Sequence, residues 1–317
     1  MKTAAALCVL LAAAPLCTRA GVTGNTPLSA DAVAQIVALD RQSTPSQREK
    51  TTAIISAFDA VQPRYRELLG APEAVSPGEM EAAWQLAGFM AYATVDSGFT
   101  NDMLRLHDEY TRRRLEPTMA QRERLLASLI ALRRFDAARA YAKKAGLEME
   151  YVPHVEGVPP ASATQLNILA IDTTREILVH KRLPPDDRLQ VYVLSFIGCT
   201  FSRHAADAIE HHELLRNFMR AHSTWITLPG PLYFNDVLAW NRTHPSTPLT
   251  YIENMAPWGF VDDWSTPTFY FMKGGQLVAK LQGWPDDQTG IKALLKAVVD
   301  NESPVKPAEH GLEAAAP

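Results

Sequence analysis

Cysteine is close to absent from this chain. Of 317 residues three are cysteine, and Cys8 and Cys17 fall inside an apolar N-terminal stretch, so cleavage of a leader there would leave Cys199 as the one thiol. A disulfide framework is thereby excluded. The lone sulfur is buried and inert, paired with another molecule, or functional. A long apolar run is lacking too. Ala4 to Pro15 is too short to span a bilayer, and no later stretch is long enough, so no spanning helix is expected after cleavage. Basic charge is not in excess. Lysine and arginine number 31 against 35 acids, and the net charge of −4 becomes −6 once Lys2 and Arg19 leave with the leader. Without a basic stripe, nucleic acid and anionic membrane surfaces are poor partners. There is also no Gly-rich phosphate loop, no zinc-protease helix and no nucleophile-elbow serine, and no cofactor site is expected.

What is present begins with residues 1–20, which read as a signal peptide. Lys2 is the positive start, Ala4 to Pro15 the apolar core, and Thr18-Arg19-Ala20 the cleavage site. Cys17 lacks the Leu three residues earlier that a lipoprotein site would have, so cleavage is expected, not lipidation. The implied location is secreted, in the periplasm. Residues 21–150 form the first expected domain, all-α and built of helical hairpins. Thr44-Pro45-Ser46-Gln47, Ser76-Pro77-Gly78-Glu79 and Thr118-Met119-Ala120-Gln121 are helix starts of the capping-box type. Apolar positions follow at helical spacing: Ile54, Ile55, Phe58; Trp84, Ala87, Met90, Ala91; Leu125, Leu129, Leu132. The segment Phe135 to Gly146 resembles the second helix of a tetratricopeptide repeat, although Ser76 and Thr118 lie 42 residues apart, longer than a standard repeat. Such an array is a packed cap or a surface for a protein partner.

Residues 151–164, rich in Pro and small residues, are the expected inter-domain linker. Beyond it, Leu166 to Ile171 and Glu176 to His180 predict a hairpin, and Leu189 onward predicts a buried strand that ends at Gly198. A helix is expected from Phe201 to about Arg220, then a strand at Thr224–Leu228, a helix at Phe234–Arg242 and a short extended piece at Leu249–Ile252. Ser265 to Met272, a strand opened by Pro267, the Lys273-Gly274-Gly275 turn and Gln276 to Gln282 form the clearest hairpin. An amphipathic helix closes residues 165–300, and 301–317 is expected to be a disordered tail. Asn241-Arg242-Thr243 is a glycosylation sequon, meaningful only in a chain that passes through an endoplasmic reticulum.

Cys199 stands where the central strand hands over to a helix. A thiol there meets unpaired backbone N–H groups and the positive end of the helix dipole, both of which favour thiolate. The ordered set of strand, thiol, helix, strand, helix, then Thr266-Pro267-Thr268-Phe269 opening a Gly-turned hairpin before a last helix, resembles a thioredoxin-like domain of the secreted and periplasmic branch. The resemblance implies an α/β domain with a central mixed sheet flanked by helices, over residues 165–300. It implies a cis Pro267 across from the thiol, with Thr266 pairing to an extended substrate peptide. Cys199-Thr200-Phe201-Ser202 then occupies the place of the two-cysteine redox motif. Cys199 matches the attacking cysteine, and Ser202 stands in place of the resolving one. Gly198 replaces the usual Trp, and Val193 and Ser195 offer no acid to move protons. A mixed disulfide on Cys199 must therefore be resolved by an outside thiol.

The resulting expectation is a single-thiol thiol–disulfide exchange protein acting on protein thiols or disulfides, or on glutathione. Cys199 and Ser202 are its candidate catalytic residues, and Thr266 and Pro267 hold the substrate. Two alternatives stay open: a redox-inactive binding or assembly module, and a one-cysteine peroxidase, although the Pro-x-x-x-Thr-x-x-Cys frame is missing. No metal is expected. His204 and the pair His211–His212 share a helix face but lie roughly 10–12 Å apart, too far for one ion. Trp258 and Phe260 are expected in the core.

Overall fold

Ser29 caps the first described helix, its hydroxyl accepting from the Ala32 amide at 3.2 Å. The computed structural model describes residues 28–42, 47–147, 152–158, 165–183, 187–227, 229–253 and 255–302. The expected leader, the Thr44 to Ser46 cap and the tail beyond Glu302 lie outside the described residues. Two compact units divide at Phe89 and Met90.

The first unit holds α1 (Ala30–Asp40), α2 (Gln47–Gly70) and most of α3 (Pro77–Thr94). Ile54, Phe58, Tyr65 and Leu68 form the buried stripe of α2, while Ile55 turns out to solvent at 43% exposure. Phe58 meets Tyr65 edge-on at 5.6 Å. The hydroxyl of Ser76 accepts from the Glu79 amide at 3.3 Å, and Glu79 in turn takes Arg64 at 2.7 Å.

The second unit opens with α4 (Ser97–Arg112), α5 (Met119–Ala131) and α6 (Phe135–Ala145). Asp96 caps α4, and the Thr118–Gln121 capping box read from the sequence is formed at the head of α5. Glu109 is 6% exposed and takes Arg112 and Arg113 at 2.6 Å each. Hydrogen bonding from Arg112 holds its carboxyl down to about 2, against a burial effect that raises it, with Arg113 adding to the lowering.

The strands are β1 (Val155–Glu156), β2 (Asn167–Asp172), β3 (Ile177–Arg182) and β4 (Gln190–Ser195). After them come α7 (Thr200–His211), α8 (Glu213–His222), β5 (Ser223–Thr227), α9 (Phe234–Thr243) and β6 (Leu249–Ile252). Last are β7 (Thr268–Lys273), β8 (Gln276–Gln282) and α10 (Asp287–Glu302). They form one mixed sheet in the order β1-β3-β2-β6-β5-β4-β7-β8. The strands β4, β5 and β6 run parallel, and β7 and β8 return antiparallel beside β4. Alternation along β4 and β7 divides the core. Val191, Val193, Phe269 and Phe271 join a cluster with α7, α9 and α10, whereas Tyr192, Leu194 and Tyr270 pack with Trp258 and Val261. At the β7–β8 turn Gly274 and Gly275 both take positive φ, 56° and 76°, which a two-residue hairpin turn needs at both central positions.

Three sequence expectations meet a different structure. The composition places a boundary at 151–164, but part of that stretch is β1, paired parallel to β3, and Phe135 of α6 is a member of the sheet's own core cluster. Non-local packing, which composition does not register, ties α6 to the sheet. The single helix expected to Arg220 breaks at His212, whose ring accepts from the Leu215 amide at 3.4 Å and starts α8. The sequon asparagine is not a surface acceptor: Asn241 is buried, its side chain donating to Leu249 O at 2.9 Å and accepting from Leu249 N at 2.7 Å.

Two measurements test this packing. A Cβ on Gly290 of α10 would lie 2.6 Å from the ring of Trp284, which is buried against Phe269. Gly290→Ala is expected to lower unfolding free energy in urea by about 1–3 kcal/mol, although alanine is the better helix former by about 1 kcal/mol; a stabilised variant would contradict the contact. Glu109 has its folded pKa depressed, so its contribution is present above 4.5 and is lost as pH falls from 4.5 towards 2. Water reaches its guanidinium partners, so the contribution is discounted to about 1 kcal/mol. The stability gap between the parent chain and Glu109→Gln should therefore be of that size at pH 7 and close in acid.

Candidate functional site

The site is built by the ends of two neighbouring strands. The β4–β7 register pairs Leu194 with Thr268 and Val193 with Phe269. The residues just past β4 and just before β7 therefore share one rim of the sheet. Past β4, the amide of Cys199 closes a turn onto Phe196 O at 2.9 Å, and Cys199 becomes the N-cap of α7. A Cβ on Gly198 would sit 2.8 Å from the Phe196 ring, so a larger residue at this position must displace that ring.

Before β7, the loop is pinned from several sides. Ser265 N donates to Asp263 at 2.9 Å, Thr268 Oγ1 to Ser265 O at 2.7 Å, and Gly283 N to Pro267 O at 2.8 Å. Gln282 reaches both Asp263 and Ser265 at 2.7 Å, and Tyr270 donates to Asp262 at 2.9 Å. The Thr266–Pro267 peptide is cis. The thiol of Cys199 donates to Thr266 O at 3.3 Å, so the structure brings together the sulfur and the residue read from the sequence as its neighbour.

Cys199 is a free cysteine and only half-buried. Partial burial pushes its thiol up, but hydrogen bonding from the Thr266 side chain, the Ser202 amide and hydroxyl, and the Phe201 amide outweighs it. The net result is a thiol held below its ordinary value. The Thr266 carbonyl works the other way, because an acceptor favours the protonated sulfur. No N-cap hydrogen bond to the thiol is formed, so these donors act on the charge that appears on ionisation. Ser202 is fully buried, and its Oγ has no partner among the described residues while the sulfur is a thiol. Of the two positions where an acid would stand, Val193 and Ser195 are both fully buried, and the Ser195 hydroxyl is also unpartnered.

Two aromatic residues at this rim are not evident from the sequence. Phe201 in the first turn of α7 is 55% exposed, and Tyr233, 46% exposed, meets Phe196 edge-on at 5.8 Å. Tyr233 holds φ 45°, the left-handed region that a bulky residue rarely adopts. Its only sequence signal is the Gly230-Pro231 turn before it. Trp258 and Phe260 pack about Tyr192, as expected. Among the described residues no group of three or more His, Cys, Asp or Glu could hold a metal ion.

The strand order β5-β4-β7-β8, with β4 and β5 parallel and the rest antiparallel, a helix starting at the end of β4 and another closing the chain, defines the domain as thioredoxin-like. The β2–β3 hairpin, β1 and β6 extend that sheet. No protein-family model matches the chain, and no curated protein matches it. Solved structures similar to it include the exposed lipoprotein thioredoxin Etrx1 of Streptococcus pneumoniae strain TIGR4, at 13% identity over 42% of this chain and 98% of that one, TM-score 0.32. StoA of Bacillus subtilis covers 44% of this chain and 99% of its own at 9% identity, TM-score 0.31. A thioredoxin-like protein from Bacteroides caccae covers 90% and 98% at 11% identity, TM-score 0.28. At these scores the fold assignment stands on the strand order. The tetratricopeptide likeness of α6 finds no matching family model.

The site's electrostatics give a direct measurement. Alkylation of Cys199 in the folded chain should titrate with a midpoint below the ordinary thiol value of 9.0, and Ser202→Ala should move that midpoint up. A sulfur that reacts only after denaturation would remove the site.

Proposed function

We propose that this chain is a secreted, periplasmic, thioredoxin-like protein that carries out thiol–disulfide exchange through the single thiol of Cys199. What supports the reading above all is the half-exposed sulfur at the start of α7, 3.3 Å from Thr266 O on a loop held by its neighbours. Among the described residues no helix is long and apolar enough to cross a membrane.

Cys199 loses its proton to solvent, and the thiolate is held by the Phe201 and Ser202 amides and the Ser202 hydroxyl. It attacks one sulfur of a partner disulfide. A Cys199–partner disulfide forms, the partner's own S–S bond breaks, and the departing thiolate takes up a proton. Once Cys199 no longer carries hydrogen, Thr266 O is released to accept an amide from the bound peptide, with Pro267 fixing the direction of that strand. Ser202 cannot attack the mixed disulfide as a second cysteine would. An external thiol must do so, restoring the Cys199 thiolate and leaving with the partner as a new disulfide. Glutathione and protein thiols both fit this requirement. Phe201 and Tyr233 supply apolar surface beside the sulfur for the partner.

Mixing the cleaved chain, which lacks Cys8 and Cys17, with oxidised glutathione should add the mass of one glutathionyl group, reversed by reduced glutathione and missing in Cys199→Ser. No adduct on the folded chain would overturn the proposal. Rapid loss of hydrogen peroxide with oxidation of Cys199 would replace it by peroxidase chemistry.

A further inference from the structure

The helices α4, α5 and α6 enclose a pocket of ≈ 180 Å³ whose lining includes His107, Arg114, Glu116, Arg122, Tyr141 and Lys144. It shares none of its lining with the Cys199 site. Three of these residues carry fixed positive charge, against one carboxylate. Neither Arg114 nor Lys144 has an acidic partner among the described residues. Arg122 is tied to main-chain oxygens, donating to Pro117 O at 3.1 Å and Ala145 O at 3.2 Å. It forms a fixed cationic wall.

Tyr141 is the observation that points to a ligand. The residue is 8% exposed, yet its hydroxyl has no hydrogen-bond partner among the described residues. The His107 ring packs edge-on against it at 5.2 Å and 78°. A buried hydroxyl left unpaired is a standing cost to the fold, and native structures keep few of them. Burial pushes this hydroxyl up to about 12, so at neutral pH it carries its proton and is a donor. Burial, with Lys144 next, holds His107 below its ordinary value, so the ring is neutral at pH 7 and the positive charge of the pocket comes from the arginines and the lysine.

Arg114 adds a second detail. It follows the C-cap Arg113 of α4 and holds φ 58°, where the Leu115 amide returns to Tyr110 O at 2.9 Å. Glycine is the residue that suits this position. An arginine there places a long cation on the pocket instead.

We propose that this pocket binds a small oxyanion, a carboxylate or a phosphate, with Tyr141 Oη donating to one of its oxygens and Arg114, Arg122 and Lys144 supplying the charge. The pocket is smaller than the roughly 300–1,000 Å³ of sites for drug-sized molecules, which restricts the ligand to a few heavy atoms. Inorganic phosphate and a four-carbon dicarboxylate are of that size. This binding does not depend on the thiol chemistry.

Calorimetric titration of the full chain with inorganic phosphate, and separately with succinate, at constant ionic strength tests it. Saturable one-site binding of either is expected, and the one that binds more tightly identifies the head group. Tyr141→Phe should weaken that binding about tenfold, the scale of a hydrogen bond to a charged group. Arg114→Gly should weaken it several-fold. Both variants should melt no lower than the parent without ligand, since one removes an unpaired hydroxyl and the other relieves a left-handed arginine. Absence of saturable binding for both anions overturns the proposal, as does unchanged affinity in Tyr141→Phe. A Tyr141→Phe chain that melts lower would show that the hydroxyl already serves the fold, and overturns it too.

Discussion

The pairing of β4 with β7 is the constraint on which the site depends. Leu194 faces Thr268 and Val193 faces Phe269 across an antiparallel ladder. The two chains leave that ladder at the same end, one towards Cys199 and the other back through Pro267 and Thr266. A slip of one residue would turn Val193 and Phe269 out of their core and send Tyr192 and Tyr270 into it. The fully buried rings on both faces, Phe269 and Phe271 on one and Tyr270 on the other, make such a slip costly. Burial therefore holds the sulfur near Thr266 O, and the hydrogen bond between them follows from the register.

A second constraint holds α5 and α6 to the same unit as the sheet. Arg133 stands between these helices at φ 58°, and its guanidinium donates to Gly230 O at 2.9 Å and to Ile252 O and Ile130 O at 3.3 Å. It lies 5.3 Å from the centre of the Tyr251 ring. The residue as a whole is half-exposed, but its charged head is enclosed, and burial pushes it down to about 10. A buried cation with carbonyl partners in place of a carboxylate is held by the carbonyls' need for donors. Gly230 lies past the end of β5, and Ile252 is the last residue of β6. One planar group with five donors can serve several such oxygens at once.

Local chemistry was legible in the sequence, and long-range geometry was not. The Gly274-Gly275 turn, the Thr118–Gln121 capping box and the strand leading to Cys199 could be read because each is fixed by a few neighbouring residues. The chain order of strand, thiol, helix and hairpin was readable as a series of motifs, and the mixed sheet came only through the resemblance that this order carries. The structure also places Cys199 Sγ beside Thr266 as the resemblance implied. What stayed hidden depends on partners far along the chain. Asn241 looks like a surface acceptor until Leu249 is seen to use both ends of its amide. Phe135 looks like part of a separate helical domain until the sheet core receives it. Arg133 and Arg114 look like two more basic helix-end residues, because neither a left-handed φ nor a carbonyl 97 or 119 residues away leaves a mark on composition.

Two of the unpartnered buried hydroxyls gain sense from the charge that can arrive beside them. Ser202 lies under the start of α7, where the sulfur can become an anion, and Tyr141 lies in a pocket with three cations. A hydroxyl that found a permanent neutral partner in either place would stabilise the empty fold and gain nothing when negative charge appeared. Left unpaired, it costs about 1–3 kcal/mol in the resting state and returns that energy only when an anion forms or binds. The same reasoning does not extend to Ser195, which is equally buried and unpartnered but lies opposite Thr227 of β5, another buried hydroxyl without a partner among the described residues. An orphan donor near positive potential is poised for negative charge.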